Sequence, residues 1–136
     1  MSHVAELRAA RGIFNAPVGA CGGRMKRLKA SYGCPVELAL DFVGGKWKTV
    51  ILARLKEEPH RYADLRTRID GISDKVLTER LRDLERLELV EKRSAPDAST
   101  VYHLTDLGES LRPVLDALYR WGHGVAEALP ATIRQA

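Results

Sequence analysis

The stretch Gly71-Ile72-Ser73-Asp74-Lys75-Val76-Leu77-Thr78-Glu79-Arg80-Leu81 decides the fold. Gly71 permits the left-handed backbone of a tight turn, Asp70-Gly71-Ile72-Ser73. Ser73 is a good N-cap, and the spacing of Leu77, Leu81 and Leu84 predicts a helix over Asp74–Leu87 with those leucines inward. Upstream, Leu65 and Ile69 mark the inner side of a shorter helix from Tyr62 to Ile69. Downstream, two short runs, Val90–Arg93 and Thr100–Leu104, flank Ser94-Ala95-Pro96-Asp97-Ala98-Ser99 and predict a hairpin with a polar tip. Two helices joined by a glycine-containing turn and followed by a hairpin make a winged helix-turn-helix. The expected class is mainly α with a small β-hairpin.

Opposite its leucines, the second helix of this pair carries Lys75, Thr78, Glu79 and Arg82 at i, i+3, i+4 and i+7, with Ser73 at its start. Such residues reach base edges and phosphates: Arg and Lys toward guanine, Thr toward several bases. Arg61, Arg66 and Arg68 flank this face, and Lys46 and Lys48 open another helix, where phosphates are readily held. Lys92 and Arg93 bring the wing to the DNA backbone or minor groove. The expected partner is double-stranded DNA. A merely solvated face is the plain alternative, because Asp74, Glu79, Asp83 and Glu85 dilute the positive potential.

Farther upstream, Pro35 suits a first helical turn, and Val36, Leu38, Ala39, Leu40, Phe42 and Val43 leave only Glu37 and Asp41 polar. Gly44-Gly45 ends that helix. Lys46 begins the next, with Trp47, Val50, Ile51 and Leu55 at helical spacing and Pro59 closing it. After the hairpin, Thr105 caps what reads as one long helix. Its apolar positions Leu107, Leu111, Val114, Leu118, Trp121 and Val125 step by 4, 3, 4, 3 and 4, and Pro113 predicts a kink. A helix apolar on nearly every side and a heptad-like seam both require cover, which a second copy supplies. Val36, Leu38, Phe42, Leu111, Leu118, Trp121 and Val125 are the expected homodimer interface, so the first and last helices act in dimerisation.

At 136 residues the chain has room for one ordinary domain, placed at 34–129, with a basic extension over 1–33 and a tail over 130–136. The net charge of +4 divides into +5 over residues 1–33 and −1 over the rest, so a nucleic-acid argument rests on where charges sit. Gly12, Pro17, Gly19, Gly22 and Gly23 disfavour regular structure near the N-terminus. That segment reads as a mobile tail, or as an arm along phosphates or over the domain. No apolar run approaches the roughly 20 residues of a membrane helix, and no secretory pattern opens the chain. A cytoplasmic protein with no membrane partner is expected.

Two cysteines thirteen residues apart make no disulfide scaffold in such a chain, and both thiols are reduced by default. Cys34 stands directly before the helix start at Pro35, where unpaired N–H groups and the helix dipole favour a thiolate. Lys26, Arg27 or Lys29 adds positive potential there if the lead-in folds back. Cys34, with Cys21, is therefore the candidate redox-sensing residue, and a small electrophile or oxidant the candidate input. The alternative for Cys34 is a small side chain packed at the dimer seam. His3, His60, His103 and His123 lack metal-ligand spacing and read as surface or partly packed residues. With no nucleophile–base–acid set, phosphate loop or carboxylate pair, no enzyme activity, metal or cofactor is expected.

Cys34-Pro35-Val36-Glu37, Gly44-Gly45-Lys46-Trp47, the stretch from Gly71 to Leu81, Leu104-Thr105-Asp106-Leu107-Gly108 and Leu111-Arg112-Pro113-Val114-Leu115 together resemble the HxlR-type transcriptional regulators. The resemblance covers about residues 30–125 and is specific in order and spacing. It implies a homodimeric winged-helix protein that binds inverted-repeat operators near promoters, as repressor or activator. It also implies that the cysteine matching Cys34 senses electrophiles, quinones or oxidants in several members. The extension carrying Cys21 departs from the pattern. Repression is the default expectation, since a small dimer acts most simply by occlusion. A winged-helix protein-interaction module, a thiol enzyme built on Cys34 and a regulator gated by a noncovalent ligand remain open alternatives.

Overall fold

In the computed structural model, residues 28–129 and 133–134 are described. His3, Cys21, Lys26 and Arg27 lie outside them. The elements run α1 (Pro35–Val43), α2 (Lys46–Glu57), β1 (His60–Arg61), α3 (Tyr62–Arg68), α4 (Asp74–Arg86), β2 (Val90–Ser94), β3 (Thr100–Leu104), α5 (Asp106–Glu109) and α6 (Arg112–Ala128). The helix-turn-helix is α3–α4, and β2 and β3 form the wing.

The turn forms for the reasons its residues dictate. Gly71 takes φ +81°, and the Ser73 hydroxyl accepts from the Val76 amide at 3.2 Å, capping α4. The inward side of α4 is then Leu77, Leu81 and Leu84, which meet Ile51, Leu52 and Leu55 of α2, Leu65 of α3, and Ile69 and Ile72 around the turn in one buried core. Each such side chain stabilises the fold by about 1.5–3 kcal/mol. Leu89 and Val90, then Tyr102 and Leu104, continue that core into the sheet.

The sheet has three antiparallel strands in the order β1-β3-β2, one more than the hairpin expected. Val90 pairs with Leu104 and Ser94 with Thr100, while His60 and Arg61 pair with Tyr102 and Val101. A two-residue strand is too short to show alternation, so β1 left no periodic signal. Its pairing buries His60, which had read as a surface or partly packed histidine.

The expected single long C-terminal helix is in fact two. Thr105 does cap, accepting from the Gly108 amide at 3.0 Å, but α5 ends at Glu109 and α6 starts at Arg112 with Pro113 in its first turn. Proline cannot donate to a preceding carbonyl and its ring collides with it, so Pro113 starts a helix instead of kinking one. Gly108 lets α5 lie hard against the body, since a Cβ there would fall 2.2 Å from the Leu89 carbonyl oxygen. Leu107 and Leu111 accordingly pack against the body's own core, and the exposed apolar seam begins only at Val114.

The flanking helices remain largely uncovered. In α1 the buried residue is Asp41, while Val36 and Leu40 are 64% and 60% exposed. In α6 it is Leu115, while Leu118 and Trp121 are 48% and 72% exposed. Leu38 and Val125 are half-buried, and Phe42 packs against the body.

Candidate nucleic-acid interface

The recognition candidates on α4 divide by what already holds them. Lys75 and Arg82 are exposed and pair with no carboxylate among the described residues. Glu79 lies half-buried beside them. Thr78 is different: its hydroxyl lies 3.3 Å from the Tyr62 hydroxyl of α3, which ties it to the scaffold. Ser73 is likewise occupied as the helix cap.

Tyr62, read from the sequence only as the start of its helix, is central to the geometry. Its hydroxyl lies 3.1 Å from the Asp74 carbonyl oxygen and 3.0 Å from the Asp74 carboxylate. Arg66 donates through Nε to the same carboxylate oxygen at 3.0 Å. Two residues on one side of α3 therefore hold the first turn of α4, and the negative Asp74 also suits the positive end of the helix. The signal was absent from local sequence because Tyr62 and Asp74 are brought together only by the turn between them.

The basic residues around α4 arrive paired. Arg61 donates to the Asp97 carboxylate of the wing tip at 2.8 Å, and Lys92 of β2 lies 3.7 Å from Glu85 of α4. Arg93 pairs with Glu91 within β2, its Nε at 2.8 Å, and Arg68 lies 3.8 Å from Glu58. Asp97 also accepts from the Ser99 hydroxyl at 2.6 Å and the Ser99 amide at 3.1 Å. These two bonds, then the Arg61 charge, hold its carboxyl below the usual aspartate range. The wing tip is thus a closed turn, with Ala98 in the left-handed region at φ +65°. Exposed ion pairs contribute little to stability, so these cations can exchange a carboxylate for a phosphate at small cost.

At the start of α2, Lys46 lies over the Trp47 ring, 4.2 Å from its centre. Lys48 turns back to donate to the Phe42 carbonyl at 3.2 Å, joining α2 to the end of α1. Of this expected pair, Lys46 is exposed and Lys48 half-buried.

Cys34 is exposed and occupies the N-cap position of α1, its carbonyl accepting from the Glu37 amide at 3.2 Å. It borders an open cavity of about 450 Å³ with Lys29, Tyr32, Pro35 and Leu38. Of the lead-in, Leu28 packs toward the core and Lys29 is engaged by Glu37, while Lys26 and Arg27 lie outside the described residues. That contact and the Gly33 amide lower the Glu37 pKa, and the same contact raises that of Lys29. Among the described residues no His, Cys, Asp or Glu cluster could hold a metal, and no helix is long and apolar enough to cross a membrane.

A family model described as HxlR-like helix-turn-helix matches residues 42–129. An uncharacterized HTH-type transcriptional regulator of Methanothermobacter thermautotrophicus is 40% identical over 93 residues, covering 67% of this chain and 71% of the relative. Among solved structures, the redox regulator HypR in its oxidized form is 31% identical at a TM-score of 0.63, covering 67% of this chain and 96% of that one. The reduced form of the transcriptional regulator YodB from Bacillus subtilis is 34% identical at a TM-score of 0.58, covering 65% and 89%. The order of elements, the capped turn before α4 and this sustained similarity have one reading: the chain belongs to the HxlR-like helix-turn-helix family of transcriptional regulators.

Proposed function

We propose that this protein is a homodimeric repressor that binds an inverted-repeat operator, reading bases with α4 and contacting the backbone with the wing. The observation that carries this reading is the pair Lys75 and Arg82, exposed and without a carboxylate partner among the described residues, on a helix whose start is held by Ser73, Tyr62 and Arg66. Positive side chains left unpaired on a rigid, outward helix suit guanine and phosphate. The uncovered apolar residues of α1 and α6 supply the self-association, and two-fold symmetry sets two α4 helices roughly 34–36 Å apart, or a multiple of that, along the duplex. Lys46, Arg61, Lys92 and Arg93 serve as phosphate contacts once they release their present partners, with Lys48, Arg66, Ser73, Thr78 and Glu79 on the same surface. Occupancy of a promoter then blocks transcription by occlusion.

The input we propose is chemical modification of Cys34. Its exposure, its place at a helix start and the adjoining cavity support this, as does the similarity to HypR, a redox regulator. Hydrogen peroxide would transfer one oxygen atom to the thiol, leaving water and a sulfenic acid; an electrophile would add to the sulfur directly. Cys21 is the candidate second thiol. Titration of the purified chain against genomic duplex fragments, including its own upstream region, reduced and after mild oxidant, tests both parts. Tight, salt-sensitive binding that oxidant abolishes in the native chain but not in Cys34→Ser supports the whole reading. Binding indifferent to oxidant removes the sensor and leaves the regulator. Absence of specific binding in either state overturns DNA recognition.

A further inference from the structure

α6 carries the larger share of the uncovered apolar surface, with α1 carrying the rest, yet it meets the other described residues through few side chains. Leu115 is its buried side chain. Beside it, Asp116 accepts from the Lys56 ammonium of α2 at 2.6 Å, across 60 residues of sequence. The Lys56 side chain is only 15% exposed, and its ammonium also lies 5.9 Å from the centre of the Tyr119 ring, one turn farther along α6. A further ion pair among the described residues, Arg134 of the tail to Asp70, is exposed at both ends. Meanwhile Ile51, Leu52 and Leu55 bind α2 into the core that it shares with α4. Lys56 therefore stands on the rigid body that carries the recognition helix, and Asp116 on the helix that carries the apolar surface.

A single buried side chain lets a helix pivot, whereas a directional bond next to it fixes the angle. We infer that the Lys56–Asp116 pair, with Tyr119 beside it, is the joint that sets the angle between α6 and the DNA-reading body, and hence which half-site spacing the dimer accepts. This rests on the dimeric DNA-binding reading above. About two interhelical steps of ~8–10 Å separate α6 from α4, so a rotation of about 10° at the joint moves α4 by roughly 3 Å, close to one ~3.4 Å base-pair step. Symmetry applies the same rotation to both copies. Lys56 and Asp116 are positioning residues and need touch neither DNA nor the other subunit.

The test uses duplexes carrying two inverted copies of the half-site that the full-length chain itself selects, with the spacer changed one base pair at a time. The native chain is expected to bind one spacer best. Lys56→Met, which keeps the apolar stem, and Asp116→Asn are each expected to narrow the gap between the best and the neighbouring spacers by about fivefold or more, while the preferred half-site sequence stays the same. A uniform loss of affinity across all spacers would assign the pair a merely structural role and overturn the inference, and so would an unchanged spacer profile. If the native chain selects no duplex at all, the operator reading itself falls, and the joint falls with it.

Discussion

In α4 the leucines that helical spacing turns inward, Leu77, Leu81 and Leu84, are at most 1% exposed; in α6, Val114, Leu118 and Trp121 follow a similar spacing and are 48%, 48% and 72% exposed. The same periodicity meets cover in one helix and solvent in the other. Around α4 stand α2, α3 and the sheet, all within the body, whereas α6 meets the body chiefly at Leu115 and Lys56. α1 repeats the lesson, since it buries Asp41 and turns Val36 and Leu40 outward. Apolar spacing reports that a face requires a partner, and says nothing about whether the partner lies in the same chain.

The sharpest way to break this contrast is to charge the α6 face. Leu118→Glu with Trp121→Glu should leave a monomer by sedimentation and lower affinity for a two-half-site duplex by about 100-fold or more, because the second half-site no longer binds intramolecularly. The body should still unfold as one cooperative unit; a variant that stays dimeric would place the interface elsewhere. Inside the body the expected effect is on stability: Leu81→Ala should cost about 2–5 kcal/mol in urea unfolding, since nothing can collapse into its place without moving α2 or α3.

Smaller effects separate the free cations from the paired ones. Arg82→Ala should cost about 1–3 kcal/mol of operator binding and relax specificity at one base pair. Arg61→Ala should cost less and weaken all sequences alike, because Arg61 must first leave Asp97. Equal losses would erase the distinction drawn between them. Ser73→Ala should reduce stability by about 1 kcal/mol through loss of the α4 cap, with thermal denaturation as the readout.

The smallest expected change is with acid. Glu37, Asp97 and Asp116 all have pKa values held below normal in the folded state, Asp116 first by its hydrogen bond to Lys56. A depressed carboxyl pKa means that the unfolded chain binds protons first as pH falls. The contribution is therefore present at neutral pH and is lost below the ordinary carboxylate range of about 4, as pH drops through the folded values. Denaturant midpoints measured from neutral to acid pH should be flat at first and then fall.

Much of the architecture was legible because its causes are local. The turn at Gly71, the cap at Ser73 and the inward leucines of α4 all lie within one short stretch, and each stands where its chemistry required. The break before α6 was equally local, and Pro113 carried the signal; a sustained apolar seam outweighed it in the reading. β1 was missed because two residues have no period. Among the candidate site residues, the outward places of Lys75, Thr78 and Arg82 followed from helical spacing, while the engagement of Thr78 by Tyr62 and of Arg61 by Asp97 did not, since those partners come from other elements.

By itself, then, the sequence determined the order of elements, the identity of the outward α4 face and the presence of apolar surface that the chain must cover. Those follow from periodicity, capping and turn chemistry, which act over a few neighbouring residues. Only the tertiary structure decided which charges are free and which are engaged. Tyr62 meets Asp74 across 12 residues, Arg61 meets Asp97 across 36 and Lys56 meets Asp116 across 60. Such pairs depend on how helices and strands pack against one another, and no local rule assigns a side chain its distant partner.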